Sequence, residues 1–150
     1  MPILAGQTVT AGQLNRMQPV PYEAIASSAT AVLATTTIVD VPGATVTLTT
    51  TTPNAIYRVT GIFDVLPGAT SASVLVFGFL NVNGTTDTGV AIQGLTSSMR
   101  ATVSQTWRGT LAAAGSHTLK LQASLSGALG SGATIRPQNS KISIEILEVV

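Results

Sequence analysis

From about residue 30 onward the chain reads as short runs in which apolar and polar residues alternate, each run closed by Gly, Pro or Asn-Gly. A period of two puts every second side chain on the same face of an extended strand, and no stretch carries the three-to-four spacing of a long amphipathic helix. "ATVTLTT" places Val46 and Leu48 on one face. "AIYRVTGIFDV" puts Tyr57, Val59, Phe63 and Val65 on one parity and Arg58, Thr60 and Asp64 on the other. "MRATVSQTWRGTL" sends Ala101, Val103 and Trp107 one way. "SHTLKLQASL" turns Leu119, Leu121, Ala123 and Leu125 inward and Lys120, Gln122 and Ser124 outward, and "KISIEILEV" closes with a row of Ile142, Ile144 and Ile146. Pro42-Gly43 and Pro67-Gly68 mark turns, Asn83-Gly84 marks a hairpin, "TGVAIQG" reads as a short strand, and another short strand lies around Ile135. Strands with one apolar face need a second apolar layer. The pattern therefore predicts an all-β fold, an antiparallel β-sandwich of about eight strands, for which the jelly roll is the commonest form.

One run departs from alternation. "SVLVFGFLNV" is apolar on both parities, so it is expected to be covered by the opposite sheet on one side and by a neighbouring subunit on the other. Val74, Val76, Phe77 and Phe79 are the candidate subunit interface. The charge content points the same way: only 9% of residues are charged, against about 25% in an ordinary soluble domain. A surface so poor in charge is protected when much of it is buried between subunits.

Residues 1–22 differ in character from the rest of the chain. Pro2, Pro19 and Pro21 favour extended backbone near both ends of the segment. Between them "TAGQLNRM" offers one helical turn, with Thr10 as cap and Leu14 and Met17 three residues apart on one side. Such a turn needs a surface to lie on. The expectation is a docking arm, residues 1–22, carrying Thr10, Leu14, Asn15 and Met17, followed by a β-sandwich domain over residues 23–150. The segment lacks a basic stretch followed by a long apolar run, so no secretion signal is expected, and no window reaches the length of a membrane span.

The chemistry-bearing residues are sparse. Net charge is +1, with seven Lys/Arg and six Asp/Glu spread singly, which offers no row of cations for a nucleic-acid backbone. There is no cysteine, hence no thiolate ligand or nucleophile. His117 is the sole histidine and shares the parity of Leu119, so a rim residue packing on the core is expected. The acids Glu23, Asp40, Asp64, Asp87, Glu145 and Glu148 form no motif; Asp40 and Asp64 fall on solvent-facing parity, and Asp87 sits where a side chain bonds its own turn. Tyr57 and Trp107 fall on core parity rather than on an exposed sugar-stacking surface. "GALGSGA" follows a strand but opens no helix, which excludes a phosphate cradle. Asn83-Gly84-Thr85 has the form of a glycosylation acceptor, but its simpler meaning is a hairpin tip. The expectation is a protein without enzymatic activity, cofactor or metal.

Two features together resemble a known family. "AGQTVTAGQLN" is similar to the "AGQ…LTAxxLN" opening of minor structural and tail proteins of phages that infect actinobacteria. "YRVTGIFDV…FGFLNVNGT…WRGTLAAAGSHTLKLQASL…ISIEIL" resembles jelly-roll domains of phage appendages, related in shape to the complement-globular-head and tumour-necrosis-factor folds. Tyr57, Val82-Asn83-Gly84, Ala114-Gly115, His117-Thr118-Leu119 and Ile142/Ile144/Ile146 stand at the places that carry the likeness. The resemblance covers most of residues 1–22 and 55–150. It implies a homotrimeric structural protein of a virion, made in the host cytoplasm, that joins other virion proteins through its arm as a tail, baseplate or fibre component or as a capsid decoration. A carbohydrate-binding module recognising a host-surface glycan is the alternative reading.

Overall fold

A computed structural model describes the chain except for residues 1–9, 17, 28–31, 34, 69–73, 97–98, 129–131 and 149–150, together with the side chains of Gln13, Asn15, Arg16, Val32 and Leu33. Among the described residues a six-residue helix, α1 (Ala11–Arg16), precedes ten strands: β1 (Val20–Ile25), β2 (Val32–Leu33), β3 (Val39–Thr50), β4 (Ala55–Pro67), β5 (Val74–Val82), β6 (Thr85–Leu95), β7 (Ala101–Leu111), β8 (Gly115–Leu125), β9 (Ala133–Ile135) and β10 (Lys141–Leu147). They form two antiparallel sheets that stack as a sandwich. In the first sheet β1, β10, β4 and β7 run side by side. β9 pairs with the last residues of β4 and carries β2. The second sheet has the order β3-β8-β5-β6.

The alternation read from the sequence is the pattern of burial. Val46, Leu48, Tyr57, Val59, Phe63, Val65, Leu119, Leu121, Ala123, Leu125 and the row Ile142, Ile144 and Ile146 all enter one contiguous core. At its centre Phe63 and Trp107 meet edge to face, with ring centroids 6.5 Å apart. Their bulk fits because Gly61 and Gly78 lie alongside. A Cβ on Gly78 would stand 2.5 Å from the Phe63 ring, so the glycine that breaks the apolar run of β5 makes the room Phe63 occupies. Full burial of a side chain of this size stabilises the fold by about 1.5–3 kcal/mol.

Four expectations need correction. Pro42-Gly43 is not a turn between strands but a bulge inside β3. Asp40 pairs with Gln122 and Thr45 with Lys120, so extra residues of β3 loop out while the strand continues. Continuity is favoured because Val41 and Ala44 on either side are buried. Gly43 has φ +81°, and a Cβ there would lie 2.5 Å from Ser27 N, whose N–H donates to Pro42 O at 3.0 Å. The second correction concerns "TGVAIQG", which belongs to an eleven-residue strand, β6, rather than a short one. Third, Asp64 is buried although its parity points outward, because residues 136–140 fold across it: Arg136 N–H donates to Asp64 O at 2.7 Å, and Asp64 N–H donates to Ser140 Oγ at 2.9 Å. Ser124, also on outward parity, is buried as well.

The β5–β6 hairpin turns through Asn83 (φ +52°) and Gly84 (φ +89°), as Asn-Gly predicts. The sandwich begins at Val20, so β1 straddles the boundary expected after residue 22.

Candidate functional site

The two outer faces of the sandwich differ in chemistry. On the second sheet, β5 directs Val74 and Val76 into the core (4% and 0% exposed), which leaves Phe77 and Phe79 on the outside, half-buried. Register places Phe77 opposite Ile92 and Phe79 opposite Val90, with Leu75 beside Gly94. The two phenyl rings lie 6.4 Å apart. On the other flank, β8 contributes the uncharged Ser124 and Gln122. Ile92 and Leu75 remain 55% and 41% exposed. This half of the face is apolar and carries no charge. Of the four candidate interface residues, Phe77 and Phe79 are the ones a neighbour can reach.

The outer face of the first sheet is built differently. Cross-strand register aligns Pro21, Glu145, Arg58 and Arg108 in one transverse row, and Glu23, Ser143, Thr60 and Thr106 in the next. Glu145 pairs with Arg58 at 3.4 Å and Glu23 with Lys141 at 3.1 Å. Ser143 Oγ also donates to Glu23 at 3.1 Å. These two rows, from the edge strand β1 across β10 to β4, line a groove of about 440 Å³.

The arm forms its helical turn where the sequence places it. Leu14 N–H donates to Thr10 O at 3.1 Å, the first bond of α1. Thr10, Ala11, Gly12 and Leu14 are exposed, Leu14 at 53%. Asn15 lies on α1, its side chain undescribed, and Met17 lies outside the described residues.

The titratable groups serve the fold. His117 is buried beside the Asn83-Gly84 hairpin. Asn83 Oδ1 accepts from Thr118 N–H at 2.9 Å, so the Asn83 amide group must donate to His117 Nδ1, also at 2.9 Å. His117 Nε2 lies 3.0 Å from Ala113 O, a pure acceptor, which places the ring proton on Nε2, within 3.2 Å of Thr50 Oγ1. The ring thus ties β8 to the hairpin and to the end of β3.

Each of the six carboxylates is engaged. Beyond the pairs above, Asp40 meets Lys120 and Gln122, Asp64 meets Arg100, Asp87 accepts from Gly89 N–H, and Glu148 meets the backbone and hydroxyl of Thr51. Hydrogen bonds from Lys141, Lys120 and Arg100 hold the carboxyls of Glu23, Asp40 and Asp64 below the usual carboxylate range. A general acid needs the opposite shift. Trp107 is buried and donates its Nε1–H to Gly89 O at 2.7 Å, so neither it nor the buried Tyr57 offers a stacking face. Among the described residues no cluster of His, Asp and Glu could hold a metal ion, and no helix is long and apolar enough to cross a membrane.

The sequence matches no protein-family model and no curated protein sequence. Solved structures do share its architecture. A chain of the T13 particle of infectious bursal disease virus superposes with a TM-score of 0.54 at 13% identity, over 85% of this chain. A chain of the Gt strain of that virus gives 0.50 at 12% identity, again over 85%. The fold is a jelly roll. The present chain spans 31% and 33% of those two viral chains. Eiger TNF from S. frugiperda is a more distant likeness, with a TM-score of 0.46 at 9% identity over 89% of this chain and 95% of its own.

Proposed function

We propose that this chain is a non-enzymatic structural protein of a bacteriophage virion. In this reading it is a homotrimer of jelly rolls that self-associates through the outer face of β5 and β6. It joins other virion proteins through the arm that carries α1, as a tail, baseplate or fibre component or as a capsid decoration. The observation that carries the reading is the contrast between the two outer faces. Charged side chains stud one of them, whereas on the β5–β6 half of the other Leu75, Phe77, Phe79, Val90 and Ile92 form an uncharged apolar surface, with the Asp40–Lys120 pair confined to the β3–β8 half. Apolar area withdrawn from water contributes about 25 cal/mol per Å², so such a face favours a permanent partner. Residues on the arm that resemble phage structural proteins, and an architecture also used by chains of a virus particle, support the placement in a virion.

Mass measurement in solution tests the self-association. A species three times the 15.2 kDa chain is expected. Ile92→Glu places a charge on a side chain that is already 55% exposed, so it leaves the fold intact and dissociates the trimer. A monomeric wild-type protein overturns the reading. Particle incorporation, followed with an arm-deleted chain, tests the docking role.

A further inference from the structure

We propose that the groove on the outer face of the first sheet binds an uncharged oligosaccharide. The site lies on the opposite sheet from the apolar β5–β6 face and stands independently of self-association.

The groove has the size of a ligand site: about 440 Å³ falls within the roughly 300–1,000 Å³ of small-molecule pockets. Its lining combines apolar and polar surface. Pro21 gives apolar surface at the β1 edge, against which the C–H face of a sugar ring can pack, while the Tyr22 ring turns to the core and only its backbone borders the groove. Glu23, Arg58, Thr60 and Glu145 supply forked acceptors and donors along the remaining wall.

The electrostatics select the ligand class. Glu145 is matched by Arg58 and Glu23 by Lys141, so the charged groups that line the groove are paired, and Arg108, next in the row beyond Arg58, lies outside the lining. The groove's hydrogen-bonding capacity is nevertheless not exhausted. Both ion pairs use Oε2 of the carboxylate, and the Arg58 pair engages only Nη1 of a guanidinium with five N–H donors. Carboxylate and guanidinium forks side by side suit adjacent hydroxyl groups, each of which donates and accepts. A peptide is a poorer match. Pro21 offers no N–H at the β1 edge, and the backbone of β10 and β4 is committed to ladders on both sides, whereas extended peptides are usually held by a run of free backbone groups at a sheet edge.

An amide chemical-shift titration of the full chain with maltotriose, cellotriose and triacetylchitotriose tests the proposal. The groove is open, so a dissociation constant of about 0.1–10 mM is expected, equivalent to roughly −2.7 to −5.5 kcal/mol. At least one of these probes should give saturable shifts centred on Tyr22, Glu23, Arg58, Ser143 and Glu145. Arg58→Met, on a side chain 52% exposed, should weaken that binding about tenfold or more without changing oligomeric mass or unfolding midpoint. Silence with all three sugars overturns the proposal, as does saturation centred elsewhere or undiminished binding by Arg58→Met. Saturation of these residues by a sulfated oligosaccharide or an acidic peptide, with the neutral sugars silent, overturns it too. The mass measurement on the same sample reports self-association separately.

Discussion

Arg100 grips Asp64 with two parallel bonds, Nε to Oδ1 at 2.6 Å and Nη2 to Oδ2. The carboxylate is 1% exposed and the guanidinium 47%, so the pair joins a buried anion to a cation that water still reaches. The bond from Arg100 outweighs the burial penalty and lowers the pKa of Asp64. A carboxylate with a depressed folded-state pKa contributes stability above its unfolded value, about 3.9, and that contribution fades as pH falls through the lower folded value. Asp64→Asn should therefore destabilise the protein at neutral pH by about 1–3 kcal/mol. It should also flatten the loss of stability below about pH 4. Urea unfolding at neutral and acid pH checks both; an acid limb as steep as that of the wild type defeats the assignment.

Gly78 and Phe63 share one volume. Adding a methyl group in Gly78→Ala drives it into the phenyl ring, and overpacking of this kind destabilises by about 1–3 kcal/mol. Phe63→Ala should cost more, about 3–5 kcal/mol. The double variant should lose less than the sum, because the ring whose space the new methyl group invades is then gone. A thermodynamic cycle built on unfolding midpoints measures that coupling.

How much of this was legible in the sequence depends on the distance over which each feature is decided. Strand parity is local, so Val46, Tyr57, Trp107, Leu121 and Ile144 could be assigned to the core from their neighbours alone. The Pro42-Gly43 bulge is not local: the dipeptide has the grammar of a turn, and only pairing of β3 with β8, some 80 residues on, makes it an interruption within one strand. Asp64 illustrates the same limit, since outward parity cannot reveal that Arg136 and Ser140 will close over it. For β5 the two-sided apolar run was plain. What the sequence could not show was that Val74 and Val76 spend their contacts inside the sandwich, leaving Phe77 and Phe79 for the outer face. Nor could it show the sheet-one groove, whose residues come from β1, β4 and β10 and meet only through register.

His117 is expected to act through the hairpin. Its replacement by Ala leaves the Asn83 amide and the Ala113 carbonyl without their ring partner, at about 1–3 kcal/mol. The effect should be concentrated at one end of the sandwich. Amide exchange should quicken at Asn83, Gly84 and Thr118 while the β4–β10 ladder keeps its protection. Uniform acceleration across both sheets would show that the ring supports the whole core instead.

The edge strand β1 separates two truncations that look alike on paper. Removing residues 1–18 takes away the arm, of which Thr10, Ala11, Gly12 and Leu14 are exposed, and should leave the unfolding midpoint unchanged. Removing residues 1–22 also strips Val20, Pro21 and Tyr22 from their partners Ile146, Glu145 and Ile144. Tyr22 packs on the core, so the longer deletion uncovers apolar surface beside Ile144 and frees one edge of β10. A loss of about 1–3 kcal/mol is expected for removing one well-packed side chain and its ladder bonds. The shorter deletion is thus the one that isolates docking: its product should fold and self-associate as the full chain does, yet fail to join the particle. Equal midpoints for the two truncations would mean that β1 contributes nothing to the sandwich.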